Sequence, residues 1–183
     1  MKTYFISEVG INHNNDRQII KKLIDATFAT GWDCVKFQKK DPNLCVPEEQ
    51  KYKMKETPWG VMTYLNYKHK MELKLDDYLF INDYCKSKPI DWSVSVWDFP
   101  SLDFIIKYFE KDIPFIKIPS AKLTDFELLT VAAQTGKPIY LSTGMSTLDE
   151  IDTAVQILEI HASSFVLFHC NSAYPAPSED LNL

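Results

Sequence analysis

Short apolar runs alternate with amphipathic stretches along almost the whole chain. The runs are 3–11 (TYFISEVGI), 34–38 (CVKFQ), 92–97 (WSVSVW), 115–120 (FIKIPS), 138–143 (PIYLST) and 165–170 (FVLFHC). Each is too short for a core helix and rich in β-branched or aromatic residues, the pattern of a strand buried on both faces, so six strands are predicted. The stretches between them carry helix periodicity. From Thr147 onward, Ile151, Ala154, Val155 and Leu158 recur at i, i+3, i+4 and i+7, and Thr147 with Glu150 reads as a capping box. Thr124 and Glu127 repeat that signal before Leu128, Leu129, Val131 and Ala132, and Gly136-Lys137-Pro138 closes the helix. An earlier helix uses Ile20, Leu23, Ile24 and Thr27 and ends at Gly31. The stretches 75–86 and the one after Pro100, with Leu102, Ile105 and Phe109, are less cleanly periodic. Only residues 39–70, containing Pro58-Trp59, read as a long βα loop, and such loops in α/β domains are usually functional.

Strict βαβα order with short connectors implies a parallel sheet with right-handed crossovers, hence a doubly wound sheet or a (β/α)8 barrel. The doubly wound fold expects a glycine-rich first βα turn, whereas the turn here, GINHNND, has one glycine. The expectation is therefore an α/β fold of the TIM (β/α)8 type. A full barrel takes eight strands and about 250 residues. The 183 residues, expected to form strands one to six, read as a barrel truncated after about six strands.

Composition narrows the partners. Twenty Lys and Arg against twenty-five Asp and Glu give a net charge of −5, which disfavours nucleic acid. No apolar run approaches the ~20 residues that span a bilayer, so no membrane partner is expected. Cys34, Cys45, Cys85 and Cys170 show no CxxC spacing and read as packing residues, and a cytoplasmic location is expected.

In a barrel the C-terminal ends of the strands form the active face. Polar residues there are Glu8, Asn12 and His13; Lys36 and Gln38; Ser95; Lys117 and Ser120; Ser142, Thr143 and Gly144; and His169, Asn171, Ser172 and Tyr174. A lysine in a strand buried on both faces is costly unless an anion meets it. Lys36 and Lys117, with hydroxyls and the Gly144 N–H, therefore describe a small phosphate or carboxylate pocket. Structural readings stand beside these: the lysines snorkelling at a rim, Glu8 pairing with a neighbouring lysine, His13 and His169 hydrogen-bonded in place, and Ser142-Thr143-Gly144 forming only a turn. His69 and His161 read as surface residues. No His/Cys/Asp cluster has metal-ligand spacing, and GxSxG, P-loop and HExxH motifs are absent from the sequence.

The segments SEVGINHNN, VKFQKKD, ETPWG, SVSVWD, IKIPSAKLTD, GKPIYLSTGMSTLDEI and HCNSAYPAPSEDLNL, in this order, closely resemble the N-terminal barrel of the N-acetylneuraminate (sialic acid) synthase family. The resemblance implies condensation of phosphoenolpyruvate with an N-acetylated hexosamine such as N-acetylmannosamine, giving a nine-carbon 2-keto sugar acid and phosphate. It assigns Lys36 and Lys117 to phosphoenolpyruvate, and Ser95, Ser120, Ser142, Gly144 and Ser172 to its phosphate and carboxylate. Glu8 falls beside the reacting sugar, and Gln38 and Tyr174 on sugar-contacting positions. It further implies a divalent metal, Mn or Mg, and a homodimer. The family's two metal-binding histidines, in motifs resembling SDHT and ERHF, and its antifreeze-like domain have no counterpart in these residues. On that ground these residues alone are expected to be inactive. The alternatives are a truncated, non-catalytic binding or interaction module, and another aldolase-type barrel acting on a phosphorylated acid.

Overall fold

The computed structural model describes residues 2–182 and divides after Ile113 into two compact units. The first unit begins with β1 (Ile6–Gly10), α1 (Arg17–Ala29) and β2 (Cys34–Lys39). The connection that follows holds α2 (Pro42–Cys45), α3 (Glu48–Lys51), β3 (Met54–Thr57), β4 (Gly60–Thr63) and α4 (Tyr64–Met71). Then come α5 (Leu75–Ser87), β5 (Asp91–Val96) and α6 (Phe99–Phe109). β2 pairs in parallel with β1 on one side and with β5 on the other.

The pleat sorts side chains by parity. Trp92, Val94 and Val96 of β5 and Val35 and Phe37 of β2 turn towards the helices. There Trp92 meets the Phe109 ring edge-on at 5.2 Å and donates its indole N–H to Asn82 Oδ1 at 3.1 Å. Ile20 and Ile24 of α1, Tyr78 and Ile81 of α5, and Leu102 and Ile105 of α6 complete this core, each 1% exposed or less. Truncating such an aromatic to alanine costs about 3–5 kcal/mol, so this layer dominates the stability of the first unit. The opposite parity carries Glu8, Lys36, Gln38, Ser93 and Ser95, paired Glu8↔Lys36↔Ser93 and Gln38↔Ser95 across the strands.

The second unit contains β6 (Ile116–Ile118), a 3-10 turn at Ser120–Lys122, α7 (Phe126–Gln134), β7 (Ile139–Ser142), α8 (Leu148–His161), β8 (Phe165–Phe168) and a 3-10 turn at Ser178–Asp180. β6, β7 and β8 are parallel in that order. Ile116, Ile118, Ile139 and Leu141 are fully buried, as are Leu128, Leu129, Ala132 and Ala133 of α7 and Ala154 and Leu158 of α8. The other parity brings together Lys117, Tyr140, Ser142 and Phe168.

All six predicted strands are present, in parallel pairs within each unit, and the structure adds to them. The long connection is not a loop: it contains three short helices and the antiparallel hairpin β3–β4. Met54, Lys55 and Glu56 are all exposed, so no apolar period marks the hairpin. Its turn is held by Thr57, whose hydroxyl donates to Gly60 O at 2.7 Å and accepts Trp59 N–H at 3.2 Å. The capping box at Thr147 and Glu150 forms both of its bonds. The cap of α7 falls one residue later than read: Asp125, not Thr124, accepts Leu128 N–H at 3.2 Å. Among the described residues no helix is long and apolar enough to cross a membrane.

Candidate functional site

In the first unit the site is built around Lys36, mid-strand in β2 and only 6% exposed. Its ammonium donates to Ser95 Oγ at 2.8 Å and forms an ion pair with Glu8, whose side chain is half exposed. The cost of burying the lysine is thus met by one carboxylate and one hydroxyl. Gln38 lies next to this pair. A Cβ at Gly10 would come within 3.2 Å of both Gln38 Nε2 and Glu8 Oε1, and Gly10 has φ +55°, so glycine is required there. Glu8, Lys36, Gln38 and Ser95 are therefore brought together, and the ion-pair reading of Glu8 is what the structure displays.

In the second unit Lys117, 5% exposed, donates to Ile118 O at 2.8 Å and to Ser142 Oγ. Its ammonium stands 5.1 Å from the centre of the Phe168 ring. Ser142 Oγ also accepts the Cys170 thiol at 3.3 Å. Ser120 Oγ accepts Gly144 N–H at 3.0 Å, so the amide expected to meet an anion is here given to a serine. A Cβ on Gly144 would lie 2.5 Å from Ser172 Oγ, 3.0 Å from Ser120 Oγ and 3.2 Å from Cys170 O. Any side chain at 144 would push these groups apart. Lys117, Ser120, Ser142, Gly144 and Ser172 thus converge, whereas Tyr174 is 96% exposed and joins no cluster in its unit.

Four of the remaining polar strand-end residues, His13, Thr143, His169 and Asn171, have side-chain hydrogen-bond partners. His13 is buried and its Nδ1 accepts Asn15 N–H at 2.9 Å. Burial pushes its pKa down to about 4. His169 Nε2 donates to Leu181 O at 2.7 Å, and Asn171 bonds Asp180 O at 3.2 Å and Ala173 N–H at 2.8 Å, tying down the segment after β8. Thr143 Oγ1 donates to Phe168 O at 2.9 Å. Asn12 is exposed, and so are His69 and His161. Among the described residues no group of three His, Cys, Asp or Glu side chains is placed to hold a metal ion. The donor set present does not fit the divalent metal that the resemblance implies, and no metal is assigned to these residues.

Two of the four cysteines depart from the packing reading. Cys34 and Cys85 are fully buried, and desolvation raises both thiol pKa values, that of Cys85 to about 12. Cys45, by contrast, donates to Asp98 Oδ2 at 3.2 Å, and Cys170 sits against Ser142. The signal that would have found Cys170 is parity: 166, 168 and 170 continue the face of β8 that pairs beside Ser142. A cavity of about 390 Å³ in the first unit lies away from Lys36, around Lys39, Lys40, Glu72 and Phe104. There burial raises the Glu72 pKa and lowers that of Lys40, and Lys39 is paired with Glu72 at 3.1 Å. None of the expected site residues lines it.

Each unit thus carries a buried lysine bonded to a serine hydroxyl on a parallel α/β scaffold, as the sequence motifs led one to expect. Residues 23–183 match the model of the NeuB family, and the chain belongs to that family. It is 34% identical over 184 residues to N-acetylneuraminate-9-phosphate synthase of Drosophila melanogaster, covering 98% of this chain and 48% of that protein. It is also 34% identical to N,N'-diacetyllegionaminic acid synthase of Campylobacter jejuni, over 100% of this chain and 55% of that one. A crystal structure of N-acetylneuraminic acid synthetase from Leptospira borgpetersenii, in complex with citrate, superposes with a TM-score of 0.87. That match has 26% identity and covers 100% of this chain and 59% of that one. The chain thus spans about half the length of the curated relatives it matches.

Proposed function

We propose that this chain carries the phosphoenolpyruvate-binding residues of a nonulosonic acid synthase, which condenses phosphoenolpyruvate with an N-acetylated hexosamine such as N-acetylmannosamine. The observation that carries this reading is the pair of lysines, Lys36 and Lys117, each buried in a parallel strand and bonded to a serine hydroxyl in a chain of the NeuB family. A buried ammonium is stabilised most by an anion, and charge-assisted bonds to phosphate or carboxylate are stronger than bonds to neutral oxygens. Phosphoenolpyruvate supplies both kinds of anion. The fold this implies is the (β/α)8 barrel, and the same reading makes the protein a cytoplasmic homodimer.

In this scheme a C–C bond forms between C3 of phosphoenolpyruvate and the aldehyde carbon of the open-chain sugar. Water adds at C2, and the tetrahedral intermediate loses phosphate by cleavage of the C2–O bond. Lys36 and Lys117 neutralise the negative charge of the substrate throughout. Ser95, Ser120, Ser142 and Ser172 supply hydroxyl donors, and Gly144 leaves the room they need. Glu8, Gln38 and Tyr174 face the sugar, with Glu8 in reach of proton transfer. A divalent ion, as the resemblance implies, would polarise the sugar's aldehyde; none of the residues described here is assigned to hold it.

The test is steady-state kinetics of Lys36→Met and Lys117→Met in the intact gene product. Loss of one charge-assisted contact, about 1.5–3 kcal/mol, corresponds to a rise of about ten- to a hundredfold in KM for phosphoenolpyruvate. KM for the sugar should stay within about twofold. Equal losses for both substrates would remove the assignment.

A further inference from the structure

We propose that Cys170 is a positioning residue whose thiol fixes the direction in which the Ser142 hydroxyl donates to a bound anion; this rests on the reading of Ser142 as a phosphoenolpyruvate ligand. A serine hydroxyl has one proton to donate and two lone pairs with which to accept. At Ser142 the Lys117 ammonium is directed at one lone pair and the Cys170 S–H, 3.3 Å away, at the other. The hydroxyl proton is then left in the one remaining tetrahedral direction, free for a ligand. Ser142 is 8% exposed and Lys117 5%, so water does not compete freely for these bonds.

The thiol is itself held in place. The carbonyl of Cys170 lies 3.2 Å from the point where a Gly144 Cβ would sit, so the backbone at 170 packs directly on the turn after β7. Ser120 is arranged in the same sense, its Oγ accepting Gly144 N–H at 3.0 Å. In both serines a protein donor occupies the oxygen and leaves the proton for the ligand. Without the thiol, Ser142 keeps only Lys117 as a fixed partner and its hydroxyl regains rotational freedom. That freedom is lost on binding, which weakens affinity without altering the chemistry.

The experiment uses the intact gene product with Cys170→Ala, Cys170→Ser, Ser142→Ala and the double variant Ser142→Ala/Cys170→Ala. Cys170→Ala should raise KM for phosphoenolpyruvate about three- to tenfold, the scale of one neutral hydrogen bond, with KM for the sugar unchanged within twofold. Cys170→Ser, which restores a donor, should return KM to within about twofold of the parent. The double variant should be no worse than Ser142→Ala, because Cys170 acts through that hydroxyl. In the unsubstituted protein, saturating phosphoenolpyruvate should slow iodoacetamide alkylation of Cys170, read by peptide mass. Cys34 and Cys85 stay unlabelled as long as the fold is intact. If Ser142→Ala weakens phosphoenolpyruvate binding but Cys170→Ala does not, or if the two losses multiply in the double variant, the positioning role is overturned while the functional reading stands. Absence of protection overturns it too. If neither Ser142→Ala nor Lys117→Met changes KM, the functional reading itself fails, and this inference falls with it.

Discussion

Lys36 and Lys117 are both buried ammonium groups bonded to a serine hydroxyl. Lys36 faces the Glu8 carboxylate as well as Ser95, and Lys117 donates to the Ser142 and Ile118 oxygens. An anion arriving at Lys36 has to share it with Glu8. Glu8→Gln removes that competitor and keeps the shape, so phosphoenolpyruvate is expected to bind at least as tightly as before. Turnover should fall about tenfold or more if Glu8 moves a proton at the sugar. Normal turnover in that variant would return Glu8 to a purely structural partner of Lys36. His13 sets a different pH dependence. Its folded pKa of about 4 lies below the usual 6.5 because burial disfavours the imidazolium. Between those values the unfolded chain binds more protons, so the contribution is complete above about pH 6.5 and is lost as pH falls towards 4. The full loss is roughly 3 kcal/mol. Urea unfolding at a series of pH values should show this slope. His13→Asn, which does not titrate and can still accept the Asn15 N–H, should flatten it; an unchanged slope would assign the pH dependence to other groups.

At the scale of elements, Asp98 stitches α6 to the connection after β2. One of its oxygens accepts Ser101 N–H at 2.8 Å as the cap of α6, and the other accepts Asp41 N–H at 2.6 Å and the Cys45 thiol. Asp98 is 7% exposed, so Asp98→Ala removes the acceptor of the buried Ser101 N–H and of two part-buried donors and should destabilise by roughly 2–4 kcal/mol in chemical denaturation. A loss below about 1 kcal/mol would mean that water replaces the carboxylate. The six parallel strands and the box at Thr147 were legible because burial and capping leave local marks on a few consecutive residues. In Thr124-Asp125 two caps compete within one turn, and Asp125, also paired with Lys122 at 3.0 Å, takes the position. The β3–β4 hairpin left no mark, since its side chains are exposed or half exposed and its order comes from turn bonds and pairing. The lysines could be read because a charge in an apolar strand breaks the pattern. Cys170 carried only the weaker mark of parity, and a thiol in an apolar run looks like packing until its partner Ser142, 28 residues away, is seen beside it.

For the molecule as a whole, the proposed anion ligands and the implied metal ligands are distributed unequally. Lys36, Ser95, Lys117, Ser120, Ser142 and Gly144 all stand in ordered, buried or half-buried positions. The described histidines are committed elsewhere or dispersed: His13 to Asn15 N–H, His169 to Leu181 O, His69 to Asn43 Oδ1 at 3.2 Å, and His161 in the last turn of α8. A metal needs several such donors converging with their lone pairs free. The 183-residue polypeptide is therefore expected to bind phosphoenolpyruvate weakly, with either lysine substitution lowering affinity at least tenfold, and to take up no Mn²⁺ in a saturable step at micromolar concentration. Isothermal titration with each ligand in turn separates the two halves of that statement. Stoichiometric Mn²⁺ binding by this polypeptide would show that some of its histidines or carboxylates rearrange into a site, and phosphoenolpyruvate binding indifferent to both lysines would place the anion elsewhere.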